Sequence, residues 1–160
     1  LLTTLPNRGV VVSRLTSDEV VELFEIRASL EGLAARLAIG HVTDDAILDL
    51  EHLLVQMRRA EQDHLLWIER HDLFHAQICA LSRRERLCQL AAQLRVQVQP
   101  YLRLFTSGER SPELKEFRHE IILDALRDRD REQAEHAVRE HVMMNASEIA
   151  QCVRATRSFD

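Results

Sequence analysis

The run ERHDLFHAQI, residues 69–78, places His71 and His75 four apart, with Asp72 beside the first. On a helix, side chains at i and i+4 lie one above the other. Two stacked imidazoles can ligate a divalent ion, move protons, or satisfy hydrogen bonds in a core. Helical phase sorts the eight histidines of the chain. His71 and His75 share the face of Ile68 and Ile78. His119 shares one with Ile122 and Leu126, and His141 shares one with Ala134, Ala137 and Val138. His41, His52, His64 and His136 fall in a loop, off the apolar stripe or at a helix start, and read as surface or capping residues.

Depth along the helices strengthens the grouping. A turn near Asp128-Arg129 separates His119 from His141. At ~1.5 Å rise per residue, the two lie roughly 15 and 18 Å from that turn, level on neighbouring antiparallel helices. A single inward histidine is ordinarily a satisfied core residue. Four are harder to satisfy, because each buried, unpaired polar group costs ~1–3 kcal/mol. A divalent cation would satisfy one nitrogen on every ring. Imidazole donors suit Zn, Ni, Cu or Fe rather than Mg or Ca. Zinc leads the candidates, with Ni, Fe or Mn behind it. Spacing alone leaves a metal site, a polar core and scattered exposure all open.

Three further residues could serve the same site. Asp72 is one step round from His71; it either orients a ligating ring as a supporting carboxylate or is simply solvated. Arg27 sits between Phe24 and Leu30 on an inward stripe. A buried guanidinium wants a carboxylate or phosphate, so Arg27 either pairs with an internal Glu or contacts an anionic ligand. Arg95 borders another stripe and is either a second such contact or a surface residue.

The elements that must hold these residues read as helices. Thr16-Ser17-Asp18-Glu19 is a capping box, opening a helix that runs to about Ile39 before Gly40. Its stripe is Val20, Leu23/Phe24, Arg27, Leu30, Ala34 and Leu37. A second helix starts at Thr43, and a third spans roughly 64–81. Ser82-Arg83-Arg84-Glu85 reads as another capping box, opening a fourth helix with stripe Leu87, Leu90/Ala91, Leu94, Val98, Tyr101 and Phe105. Pro100 should kink it. A loop around Gly108 leads to Ser111-Pro112, an N-cap with Pro at the first helical position. That fifth helix ends near Arg127, and a sixth runs from Asp130 to about Val153. Ahead of them, LLTTLPNRGVVV reads as a turn and a short strand, Val10 to Val12. The expectation is an all-α antiparallel bundle of about six helices, preceded by a short β/linker remnant. Its boundaries are 1–15, 16–155 for the helical domain, and a frayed 156–160.

Composition agrees. The 160 residues are 46% hydrophobic and 29% charged, with only seven Gly and Pro, a globular and helix-favouring mix. A net charge of −5 argues against direct nucleic-acid binding, which requires basic residues to neutralise phosphates. Cys79, Cys88 and Cys152 read as buried apolar residues in a reducing cytosol. No apolar run approaches a membrane span and no signal peptide is apparent, so a cytoplasmic protein is expected. The chain begins at Leu1 rather than Met, which suggests a fragment.

With these residues set out, the chain resembles the C-terminal effector domain of GntR-family transcriptional regulators of the FadR type. LPNRGVVVSRLT resembles the end of the family's winged-helix domain and its linker. EVVELFEIRASLEGLAARLA resembles its first effector helix. HDLFH resembles the (Asp/Asn)-x-x-Phe-His motif, and FRHEIILDALRDRDREQAEHAVREHV resembles the closing helix pair. The resemblance implies a metal held by an Asp or Asn and three His, matched here by His75, His119 and His141. The carboxylate position falls on His71, with Asp72 out of phase, so His71 is expected to stand in. Arg27 matches the family's first-helix Arg near the effector. The family further implies a small organic acid, sugar acid or fatty-acyl effector, a homodimer, and operator DNA bound through an upstream winged helix, most often as a repressor. No membrane partner is expected.

Two other readings stand beside it. His71-Asp72 is similar to the dipeptide of metal-dependent HD-type phosphohydrolases, but the further His and Asp ligands they need fit poorly on phase. The chain could also be a purely structural dimerisation bundle. A di-iron bundle lacks its paired inward Glu and Glu-x-x-His motifs.

Overall fold

The computed structural model describes the backbone of residues 2–5, 9–12, 15–106, 112–144 and 146–157. Two strands, β1 (Leu2–Leu5) and β2 (Gly9–Val12), pair antiparallel with Leu2 opposite Val12. Among the described residues seven helices follow: α1 Ser17–Ala38, α2 Asp44–Arg59, α3 His64–Leu81, α4 Glu85–Thr106, α5 Pro112–Arg127, α6 Arg131–Met143 and α7 Ala146–Arg157.

Side-chain caps explain most of the helix starts. Thr16 and Glu19 form the expected reciprocal capping box, satisfying two orphan N–H groups. Thr43 caps α2 through the Ala46 N–H, and Asp63 caps α3 through the Leu66 N–H. The expected box at Ser82 is not formed. Ser82 instead closes α3, donating to the Cys79 carbonyl at 2.5 Å and accepting from the Arg84 N–H. Arg83 takes φ 54°, so the chain turns between the helices and α4 starts only at Glu85. α4 then continues through Pro100 as one helix. The Ser111 cap, the Gly108 loop and the side chains of Phe105 and Cys152 lie outside the described residues.

The α5–α6 turn sets the register of the site. Arg129 has φ 55°, its N–H bonds the Leu126 carbonyl, and the Asp130 N–H bonds the Ala125 carbonyl. This is the Schellman pattern that satisfies the last carbonyls of a helix. Asp130 then caps α6 through the Glu132 and Gln133 N–H groups. Two helices so tightly joined run antiparallel side by side, as the expected level placement of His119 and His141 requires.

The expected sixth helix is two. α6 packs on α1 and α5, whereas α7 packs on α1 and α4 and buries Ala146, Ile149, Ala150 and Val153. Beyond their shared contact with α1 the two segments serve different neighbours; α6 ends at Met143 and α7 begins at Ala146. Met144 to Glu148 holds no Gly or Pro, and the local signal is only Asn145 three residues before Glu148, the residue types of a helix start. Phase also drifts on two stripes. On α1, Leu30 and Leu37 are only half-buried, while Glu31, Ala35 and Ala38 are buried. On α4, Leu90 is 51% exposed and Arg95 is buried.

α1 is the central helix, touching α3, α4, α6 and α7. Its crossing with α6 depends on Gly32. A Cβ there would lie 2.5 Å from Arg139 Cγ and 3.2 Å from the Glu135 carbonyl oxygen. The arginine can swing away, but the backbone oxygen cannot. Gly32→Leu is expected to lower unfolding free energy by about 1–3 kcal/mol, the range for overpacking. Urea denaturation followed by circular dichroism would read it.

Candidate metal centre

Three helices bring the four inward histidines to one point. α3 supplies His71 and His75, α5 supplies His119 and α6 supplies His141. All four are buried. One nitrogen from each ring lies within 4.8 Å of the others. The closest ring centroids, those of His119 and His141, are 4.2 Å apart, so these two residues are level across the antiparallel pair. His75 Nε2 and His141 Nε2 face each other at 3.1 Å. A tetrahedral ion with Zn–N of ~2.0–2.1 Å holds its nitrogens about 3.4 Å apart. The donor set and spacing therefore fit a divalent transition metal after small side-chain adjustments.

The electrostatics favour neutral ligands. Burial pushes the His75 imidazole well below the usual value of 6.5, and the charges of His71, His119, Arg95 and Arg27 push it further. Burial does the same to His141, followed by His119, His75, His71 and Arg27. A neutral imidazole is the form that ligates metal. It also makes the metal-free fold acid-sensitive. Below pH 6.5 the unfolded chain binds protons at both positions that the folded chain refuses. Stability from these two groups is full above 6.5 and falls as pH drops below it. Chemical denaturation of metal-free protein at about pH 7.5 and about pH 5.5 should show this loss.

Around the rings stands a second layer that phase reasoning only half anticipated. Glu31, on α1, is 2% exposed. Its Oε1 accepts from Arg27 Nε at 3.1 Å. Its Oε2 lies 3.2 Å from His75 Nδ1 and 3.5 Å from Arg95 Nη1. Both Oε2 contacts are within ion-pair range, yet neither Glu31 Oε2 nor Arg95 Nη1 makes an aligned hydrogen bond. Arg27 thus pairs with an internal Glu, one of its two expected states, and Arg95 is a buried residue rather than a surface one. Glu31 itself was not anticipated. The available signal was its i+4 position from Arg27 and i+7 from Phe24, which keeps it on the inward face.

The remaining expected residues are more peripheral. Asp72 is half-buried, with Oδ1 3.7 Å from His71 Nδ1 and Oδ2 accepting from Gln99 Nε2 at 3.0 Å. Burial raises its pKa, but His71, Gln99 and Arg95 outweigh this and hold it below the usual carboxylate range. It is a neighbour of the cluster and not among the four grouped donors. Trp67, the only tryptophan, stacks on His71 with centroids 5.0 Å apart and an interplanar angle of 23°. His52, His64 and His136 are exposed as expected, but His41 is half-buried.

Comparison with known proteins bears on the family and the fold. Residues 22–143 match the FCD domain family. The transcriptional repressor GlaR of Escherichia coli is 28% identical over 156 residues, covering 89% of this chain and 70% of GlaR. The regulator McbR of Escherichia coli is 27% identical over 154 residues, covering 94% of this chain and 70% of McbR. The solved structure of McbR/YncC superposes with a TM-score of 0.85 at 26% identity, covering 94% of this chain and 77% of that one. A GntR-family regulator from Pseudomonas syringae gives 0.75 at 21% identity, covering 99% of this chain and 66% of that one, which speaks to the fold alone.

Proposed function

This chain belongs to the FCD domain family of GntR-type transcriptional regulators, and from that premise we propose that it senses a small carboxylate at a divalent metal held by His71, His75, His119 and His141. The observation that carries the reading is the convergence of four buried imidazoles beside a buried Arg27–Glu31–Arg95 network. Four imidazoles without a thiolate suit zinc first, with Ni, Fe or Mn as alternatives. His71 takes the place that a carboxylate ligand would otherwise fill. When bound, the metal supplies a Lewis-acidic position to which an acid can coordinate. Arg27 and Arg95 supply the positive charge around it, and Glu31 holds the two guanidiniums in place. Asp72 can restrain the His71 ring.

In the full regulator, the chain acts as a homodimeric effector domain attached to a winged helix that binds operator DNA. Ligand binding changes DNA affinity, because effector and operator favour different arrangements of the same dimer. Repression follows the relatives' names, which are those of regulators and weigh against the phosphohydrolase alternative. No described helix is long and apolar enough to cross a membrane. The direct test is elemental analysis of the purified chain after dialysis. About one transition-metal ion per chain is expected; a metal-free protein that takes up no added zinc would overturn the reading.

A further inference from the structure

The two histidines that α3 contributes are held in different ways. His75 Nδ1 lies 3.2 Å from the buried Glu31 carboxylate. His71 Nδ1 is buried without a hydrogen bond, and Asp72 Oδ1, at 3.7 Å, is within ion-pair range but too far to accept one. The other Asp72 oxygen is occupied by Gln99. The His71 ring has a packing partner instead. Trp67 lies four residues before it on α3 and stacks on its face, with centroids 5.0 Å apart and planes inclined by 23°. The same indole meets His119 edge-on at 6.4 Å. Trp67 is half-buried, whereas His71 beneath it is only 7% exposed.

An imidazole nitrogen ligates through a single lone pair in the plane of its ring. A ligating ring must therefore be held at one orientation, and a ring free to turn about χ2 samples a broad range. Stacked aromatic pairs prefer centroids ~4.5–7 Å apart, and that preference resists rotation of either ring. We infer that Trp67 is a positioning residue for the metal centre: its indole holds the His71 ring in the plane from which that ring ligates, the part that Glu31 has for His75. This rests on the metal-binding reading of the cluster. Trp67 brings no donor to the ion and acts only through His71.

The test is titration of the metal-free chain with cobalt(II), read by visible absorption, which is strong in four-coordinate and weak in six-coordinate sites. Trp67→Leu keeps an apolar side chain and removes the aromatic face, whereas Trp67→Phe keeps a face. Because the position is half-buried, both are expected to retain wild-type helix content by circular dichroism. Trp67→Leu is expected to bind cobalt about three- to tenfold more weakly, the worth of one aromatic pair expressed as a binding constant, and with a weaker band. Trp67→Phe is expected to recover most of the affinity and of the band. His71→Ala should show the same weakened band, and adding Trp67→Leu to it should cost little more, because the indole acts through that ring. Wild-type affinity and band in Trp67→Leu would overturn the inference while leaving the metal centre intact. So would a Phe variant no better than Leu, losses that add in the double variant, or an unchanged band in His71→Ala. If the wild-type chain takes up neither cobalt nor zinc, the metal-binding reading itself falls, and this inference with it.

Discussion

The His75→Ala/His141→Ala double variant is expected to purify without bound transition metal, against about one ion per wild-type chain. These two rings are chosen because their Nε2 atoms already face each other at 3.1 Å and because they come from different helices, α3 and α6. Removing both leaves His71 and His119, too few donors to hold the ion. Metal that binds only the folded state stabilises it by about 2.7 kcal/mol at one hundred times its dissociation constant. In a domain of this size that is on the order of 5–10 °C in melting temperature. Wild-type protein should show that rise on adding zinc, and the double variant should show none. Trp67 gives an independent signal, because it stacks on His71: zinc should change its fluorescence in wild type only. Wild-type metal content in the double variant would refute the site as described. His71→Ala asks a narrower question. If His71 is a true fourth ligand, affinity falls but a three-histidine site persists, still occupied at excess metal. If affinity is unchanged, His71 is a neighbour and the site has three protein ligands.

The grouping of these four histidines is legible in the sequence because a regular helix advances ~100° per residue. His71, His75, His119 and His141 each sit among apolar residues at helical spacing, and the short α5–α6 turn fixes the relative depth of the last two. The same reasoning found Arg27. It failed for Glu31 because an acidic residue in a helix is ordinarily solvated, and only its pairing with two buried arginines makes its burial tolerable. For Arg95 it left burial and exposure both open. The α4 stripe passes through Leu90/Ala91, Leu94 and Val98 beside Arg95; Leu90 is exposed and Leu94 half-buried, and the buried face runs through Ala91, Arg95 and Val98. Ser82 shows a different limit. Its spacing to Glu85 suits a capping box, but a serine at a helix end can equally bond backward to its own helix, and the positive φ of Arg83 decides between them. The division of α6 from α7 is a matter of which neighbours each segment packs against, and its one local trace is Asn145 three residues before Glu148, the residue types of a helix start.

Glu31 carries the second large expectation, since its carboxylate joins Arg27, Arg95 and His75. Glu31→Ala would leave two buried guanidiniums without their counter-charge. Breaking a buried ion pair by removing one partner typically costs about 3–5 kcal/mol, so a fall of roughly 10 °C or more in melting temperature is expected for the metal-free chain. Glu31→Gln preserves the shape and removes the charge. It should cost less stability, yet still weaken metal binding by about 10–100-fold, the usual effect of losing a carboxylate behind a ligating histidine. The two effects can be separated. Replacing the three charged residues together, as Arg27→Met, Glu31→Leu and Arg95→Met, removes the uncompensated charges and should recover most of the stability, because well-packed apolar side chains often match or exceed a buried ionic network. Metal binding should remain weak in that triple variant, because His75 Nδ1 would still lack its carboxylate. If zinc affinity returned along with stability, Glu31 would be only a counter-ion for the arginines, without any part in orienting His75.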